Sequence, residues 1–171
     1  MPTPPRAALA LFLAVASVAT AACGGGGHSY KAGTPAATGQ APDCSIVPVE
    51  IVKDALKRDL LPAIGEPHGA GGVTCTFNQA KGAGAGAAEQ VQLDSYASKE
   101  TMERLKAPLV AAHNPVKSIK GWGDQAYAWT VYYYSNINNF AVRKGKVSVT
   151  IISTASYDDI KKLMKAVLAK L

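Results

Sequence analysis

The sequence predicts an α+β domain in which helices pack on an antiparallel sheet of about five strands. Three observations support this fold class: several segments alternate apolar and polar residues, short turns join consecutive segments, and the chain ends in an amphipathic helix. Strands that follow one another through short turns pair antiparallel, and an amphipathic helix buries its apolar side against another layer. The expected order of elements within residues 43–171 is α-β-β-α-β-β-β-α.

The first predicted helix begins near Pro48, which suits a first helical turn because its missing N–H needs no partner there. Val49, Val52 and Leu56 follow at helical spacing, so they mark the buried side of this helix. The next segment, PAIGEPHGAGG, is rich in helix breakers and is predicted to be a loop.

Two alternating segments then predict a β-hairpin. In VTCTFNQ, Val73, Cys75 and Phe77 face one way, and EQVQLDSYA alternates through Val91 and Leu93. The segment between them, KGAGAGAA, is predicted to be a flexible connection. A nucleotide-binding glycine loop would lead from a strand into a helix, whereas this one leads into another strand.

The second half of the chain predicts a helix, three strands and a terminal helix. Ser98 is the candidate N-cap of the middle helix, and Pro108 is expected to end or kink that helix near Lys106. Gly145 in RKGK suits the positive φ of a hairpin turn between the last two strands. The terminal helix begins after Ser156. Its apolar stripe comprises Ile160, Leu163, Met164, Val167, Leu168 and Leu171.

The first 42 residues differ in composition from this domain. Arg6 is the only charge before Cys23, and residues 7–22 form an unbroken run of 16 apolar or small residues. This pattern is typical of a secretory signal, whereas a membrane-spanning helix needs about 20 apolar residues. We therefore predict a signal peptide over 1–22, a flexible Gly/Ala/Pro-rich tether over 23–42, and a single domain over 43–171.

The end of the predicted signal peptide resembles the lipobox of bacterial lipoproteins. The residues TAAC, at 20–23, place small side chains before a cysteine, with Thr20 where leucine is commonest in that class. The resemblance implies that the chain is cut before Cys23 and that its thiol carries a diacylglycerol. Two acyl chains meet the requirement for stable anchoring. The implied location is the cell membrane, lipid-anchored through Cys23 and facing the extracytoplasmic side.

Cys44 and Cys75 are predicted to form a disulfide, because an exported domain folds in an oxidising compartment. Neither cysteine has the Cys-x-x-Cys or histidine spacing of a metal site. The bond would close a loop of 32 residues. The chain-entropy relation gives such a loop about 3.7 kcal/mol of stabilisation.

The mature part of the chain is similar to small actinobacterial lipoproteins of unknown function. The similarity is carried by CSIVPVEI, CTF, GWGDQAYA, VRKGKVSVTI and the terminal amphipathic helix, and it spans about residues 44–171. Membership of that group implies an exported, lipidated α+β domain. It implies no particular activity.

Charge and motifs argue against nucleic acid, cofactor or metal as a partner. The chain has 18 Lys and Arg, 17 once Arg6 is removed, against 12 Asp and Glu, and no basic stripe carries interleaved aromatics. Asp124, in GWGDQAY, has no partners at the spacing of a calcium loop. Its expected role is in the geometry of the turn, where Gly121 and Gly123 permit unusual φ. Trp122 is expected to pack at the edge of the core.

No catalytic residue is predicted, since the chain lacks the Gly-x-Ser-x-Gly and Ser-x-x-Lys patterns of hydrolases. The expected function is therefore a non-catalytic binding or sensing module of the cell envelope. The alternative is an envelope hydrolase that uses His68 or His113. It requires one of these histidines within hydrogen-bond reach of a Ser, Asp or Glu in a cleft.

The aromatic segment YAWTVYYYSNINNF is the candidate binding surface. Strand alternation places Trp129, Val131 and Tyr133 on one face, with the intervening tyrosines on the other. An exposed Tyr/Asn face suits an envelope protein or a glycan, whereas helices on both sides of the sheet would bury both faces. The candidate residues are Tyr132, Tyr134, Asn136 and Asn138.

Overall fold

A computed structural model of the protein describes residues 43–69, 71–80, 88–133 and 135–171. They form an α+β domain with a seven-stranded antiparallel sheet, three α-helices and the Cys44–Cys75 disulfide. The predicted class and the predicted disulfide are confirmed, and the sheet has seven strands in place of about five. The signal peptide, the tether and Cys23 lie outside the described residues.

After a short 3-10 helix, Cys44–Ile46, the chain forms a helix, three strands, a second helix, four strands and a third helix. The α-helices are α1 (Val49–Leu56), α2 (Lys99–Ala111) and α3 (Tyr157–Leu168). The strands are β1 (Ile64–His68), β2 (Gly72–Phe77), β3 (Glu89–Ser95), β4 (Lys117–Ser118), β5 (Gln125–Tyr133), β6 (Ser135–Lys144) and β7 (Val147–Ser153). Their order in the sheet is β1-β2-β3-β7-β6-β5-β4, so β1 and β4 form the two edges.

The two edge strands are the ones that the sequence did not predict. PAIGEPHGAGG was expected to be a loop, but β1 lies within it and pairs with β2 from Ile64 opposite Thr76 to His68 opposite Gly72. Most of β1 is exposed, so it shows no apolar alternation, and an edge position tolerates Pro67. Strand β4 is only two residues long and is too short to leave a pattern in the sequence.

The helix predictions are confirmed at their starts and corrected at two ends. The Ser98 and Ser156 side chains accept hydrogen bonds from backbone N–H groups three residues later, at 3.2 Å in each case. Helix α2 continues through Pro108 to Ala111 and does not end near Lys106. Pro108 is exposed, so water can bond the carbonyl that its missing N–H leaves unpaired. Leu171 lies beyond α3 and is exposed, so it is not part of the buried stripe.

The sheet is covered on both sides, but unequally. Helices α1 and α3 pack together on one side, where alternate residues of the strands form the main core. Helix α2 covers part of the other side over a smaller cluster. The buried members of that cluster are Met102, Tyr127, Trp129 and Ala141. None of the helices in the described ranges has both the length and the apolarity that crossing a membrane requires.

A buried ion pair fixes the end of α1 to the sheet. Glu89, the first residue of β3, is 1% exposed and accepts a hydrogen bond from Arg58. The second Nη of Arg58 donates to Thr154 Oγ1 at 2.9 Å, just beyond β7. Burial raises the pKa of the Glu89 carboxyl, while the Ser153 hydroxyl and the Arg58 guanidinium oppose that rise.

The substitution Glu89→Gln is expected to flatten the pH dependence of stability. Because burial raises the pKa of Glu89 above its ordinary value of 4.5, the folded protein holds this proton more tightly than the unfolded chain. The stability linked to that proton is present below the unfolded pKa and is lost as pH rises through the folded pKa. Urea midpoints between about pH 4 and pH 8 should fall more steeply for the wild type than for the variant. Parallel curves would show that the carboxyl does not titrate in this way.

Candidate binding groove

The β5–β6 hairpin extends beyond the rest of the sheet as a two-stranded ribbon. Strand β7 pairs with β6 only from Asn138 onward, so no third strand of the described residues pairs with the tip of the hairpin. Thr130 lies opposite Asn138 and Tyr132 lies opposite Asn136. Directly opposed residues share a face of a sheet, so these four side chains lie on one side of the ribbon.

The predicted binding residues differ in their surroundings. Tyr132 is 77% exposed and Asn136 is also exposed. Asn138 is half-buried, accepts a hydrogen bond from Thr130 Oγ1 at 2.8 Å and donates to the Ala155 carbonyl at 2.8 Å. Asn138 therefore connects the ribbon to the start of α3. Tyr134 lies outside the described residues.

A groove of about 300 Å³ lies next to Thr130, on the same face as Tyr132. This volume falls at the lower end of the range of small-molecule sites, about 300–1,000 Å³. Ala128 and Phe140 line the groove and lie directly opposite each other on β5 and β6. Helix α3 packs on β6 and β7, so the small side chain of Ala128 leaves space between α3 and the β4 edge.

The two sides of the groove come from distant parts of the chain. Tyr157 and Lys161 of α3 form one side. Pro115, Lys117 and Ile119 form the other, on and around β4. Lys117 lies opposite Ala128 in the sheet, so its side chain extends from the groove face. The lining is thus mainly apolar, with one ammonium group on each side.

Neither ammonium group is held by a strong ion pair in the described residues. Lys161 Nζ lies 3.3 Å from Oδ1 of Asp158, whose side chain is 86% exposed. Exposed pairs of this kind contribute about 0–1 kcal/mol, so the contact is easily exchanged. Lys117 is exposed, and no carboxylate of the described chain lies within salt-bridge distance of it.

The GWGD turn supports the groove from the adjacent hairpin. The edge of the Trp122 ring meets Phe140, with ring centres 5.0 Å apart, and Lys165 Nζ lies 5.8 Å from the Trp122 ring centre. Asp124 accepts a hydrogen bond from Gly145 N at 2.8 Å and pairs with Arg143 at 3.1 Å. Asp124 therefore ties two turns together. The described chain contains no group of three side chains that could hold a metal ion.

A second polar cluster lies at the other end of the sheet, around His68. The sequence predicted that this histidine lies in a loop, but it is the last residue of β1. Its Nε2 is 2.7 Å from Asp94 Oδ1, and its Nδ1 is 3.0 Å from Thr74 Oγ1. The ring crosses Gly72, where an added Cβ would lie 2.5 Å from Nε2. His113 is exposed at the end of α2 with a φ of 57°.

The sequence indicated the aromatic strand and His68, but it predicted neither the groove nor the particular partners of His68. The groove joins four segments of the chain, around residues 115–119, 128–130, 140 and 157–161. Its one local signal was the small side chains of Ala128 and Thr130 on either side of Trp129. The His68 cluster spans β1, β2 and β3, so only the register of the sheet brings its members together.

The lining of the groove is mainly apolar and carries a few polar groups. It offers aliphatic and aromatic surface, two hydroxyl groups and two ammonium groups. No protein-family model matches the chain, and no curated protein is significantly similar to it. The geometry of the groove is therefore the basis for assigning a function.

Substitutions on the two faces of β5 are expected to have very different effects on stability. Tyr132→Ala should change the free energy of unfolding by less than about 0.5 kcal/mol, because the side chain is 77% exposed. Trp129→Ala should cost about 3–5 kcal/mol, because that side chain is 6% exposed under α2. Urea denaturation of both variants measures the difference. A large loss with Tyr132→Ala would mean that this tyrosine serves packing.

Proposed function

We propose that the protein is a lipid-anchored, non-catalytic binding module of the cell envelope, held at the extracytoplasmic side of the membrane by Cys23. The resemblance of TAAC to a lipobox supports the anchor. The Cys44–Cys75 disulfide agrees with an oxidising compartment. The Gly/Ala/Pro-rich segment 23–42 would separate the domain from the bilayer.

The apolar groove between α3 and β4 is the observation that carries the binding role. Concave, mostly apolar surfaces with a few polar groups are the usual form of small-molecule sites. The exposed ring of Tyr132 continues the same face beyond Thr130, so it enlarges the surface available to a ligand. Its amphipathic ring also suits a protein or a glycan of the envelope.

The His68 cluster favours a second candidate, an envelope hydrolase. His68 lies between Thr74 and Asp94, the arrangement in which an imidazole activates a hydroxyl and a carboxylate orients the imidazole. In this candidate the Thr74 hydroxyl is the nucleophile. The same contacts also have a structural role, because they join the edge strand β1 to β2 and β3.

Filling the groove is expected to abolish binding of a neutral apolar dye. Ala128→Leu places a larger side chain in the groove and should weaken the affinity for N-phenylnaphthylamine by about tenfold or more, measured by fluorescence titration. Ala107→Leu is the matched control, since Ala107 is exposed on α2. Circular dichroism must show that both variants are folded.

Three outcomes of that titration would contradict the groove as the binding site. In the first, the wild type does not bind the dye. In the second, Ala128→Leu binds it as tightly as the wild type does. In the third, Ala107→Leu loses as much affinity as Ala128→Leu. Hydrolysis of a chromogenic ester by the wild type, lost in His68→Gln, would instead support the second candidate.

Mass spectrometry of the mature protein tests the anchor separately. The N-terminal peptide is expected to begin at Cys23 and to carry the mass of a diacylglycerol on its thiol. The matched variant Cys23→Ser should accumulate unmodified and with its signal peptide uncut. Cleavage at another residue, with a free thiol on Cys23, would disprove the lipid anchor.

A further inference from the structure

We propose that the groove selects an anionic amphiphile with a single acyl chain, whose carboxylate or phosphate head lies between Lys117 and Lys161. This inference rests on the proposed binding role of the groove and adds the chemical class of the ligand. Different residues would contact the head group and the chain of this ligand.

The two lysines provide the selectivity for negative charge. Lys117 comes from the β4 side of the groove and Lys161 from α3, so an anion in the groove can approach both. In the described chain, Lys161 pairs only with the exposed carboxylate of Asp158. A ligand anion would replace that weak pair and would also be partly shielded from water by the groove. A cationic head would meet two like charges.

Tyr157 adds a hydrogen-bond donor beside Lys161. Its hydroxyl lies 3.3 Å from Thr130 Oγ1 and 3.5 Å from the Asn139 carbonyl oxygen. Hydrogen bonds between two oxygens usually measure about 2.7–2.8 Å, so both contacts are long. Thr130 already donates to Asn138 at 2.8 Å. The Tyr157 hydroxyl can therefore turn toward an oxyanion without losing a strong bond.

The floor of the groove suits one acyl chain. Ala128 and Phe140 on the floor and Ile119 on the β4 side offer apolar surface, and each methylene buried there contributes about 0.8 kcal/mol. The volume of about 300 Å³ equals the share of about ten water molecules in the liquid. This space fits one short chain, and a two-chain lipid would leave its second chain in water.

Displacement of N-phenylnaphthylamine by matched ten-carbon amphiphiles tests the inference on the purified protein. Decanoate and decyl phosphate carry the two anionic heads, decanol is neutral and decyltrimethylammonium is cationic. We expect the anions to bind about fivefold or more tightly than decanol, and the cation to bind more weakly than decanol. The anion preference should shrink as salt is added.

Paired variants locate the selectivity. Lys117→Gln with Lys161→Gln should remove the preference for anions while leaving decanol affinity unchanged. Lys99→Gln with Lys170→Gln is the control of equal charge change, because both lysines are exposed and neither lines the groove. Tyr157→Phe should weaken binding of the anions but not that of decanol.

The outcomes separate this inference from the proposed function. Equal affinity for decanoate, decyl phosphate and decanol would overturn the anion selectivity but would leave the groove as a binding site. Failure of every amphiphile and of the dye to bind would overturn both. Tighter binding of decanoate than of decyl phosphate would favour a fatty acid as the source of the anion, and the reverse would favour a single-chain phosphate ester.

Discussion

The pairing of β3 with β7 makes one sheet from two parts of the chain that are distant in sequence. These strands pair from Gln90 opposite Ile152 to Ser95 opposite Val147. On one side of this junction lies the β1–β2–β3 meander, and on the other lie β6, β5 and β4. Without the junction, α1 and α3 would have no common surface to cover. Contacts so distant in sequence are costly to form, because bringing the two strands together closes a long loop and reduces the entropy of the chain.

An ion pair, a hydrogen bond and a disulfide stabilise this junction and the strands beside it. Arg58 connects the end of α1 to Glu89 at the start of β3 and to Thr154 just after β7. The Cys44–Cys75 disulfide ties the start of the domain to β2. The position of α3 over β6 and β7 then determines the groove, because the small side chain of Ala128 on β5 leaves space beside the helix. The candidate site is thus a consequence of how the sheet is assembled.

The sequence predicted the elements whose side chains alternate between core and solvent. Strands β2, β3 and β7 were visible through Val73, Leu93 and Val149, and α3 through its buried stripe. Strand β1 was missed because its residues are mostly exposed. The end of α2 was misplaced because a proline on an exposed helix face is tolerated better than one on a buried face.

The candidate site was predictable only in part, for a related reason. Strand alternation assigns Tyr132 to one face of β5, but the sequence does not show which face the helices leave uncovered. The groove depends on Lys117, Ala128 and Lys161 meeting in three dimensions, and no spacing in the sequence encodes that meeting. The contact of His68 with Asp94 likewise depends on Gly72, which gives the imidazole room to cross a strand.

The two edge strands of the sheet affect whether copies of the domain pair with one another at high concentration. An unpaired strand edge can template the addition of strands from neighbouring molecules, which leads to aggregation. Here Pro67 removes one backbone donor from β1, and β4 offers only two residues of pairing length. Strands β1 and β4 are therefore poor templates for edge-to-edge pairing between copies of the domain.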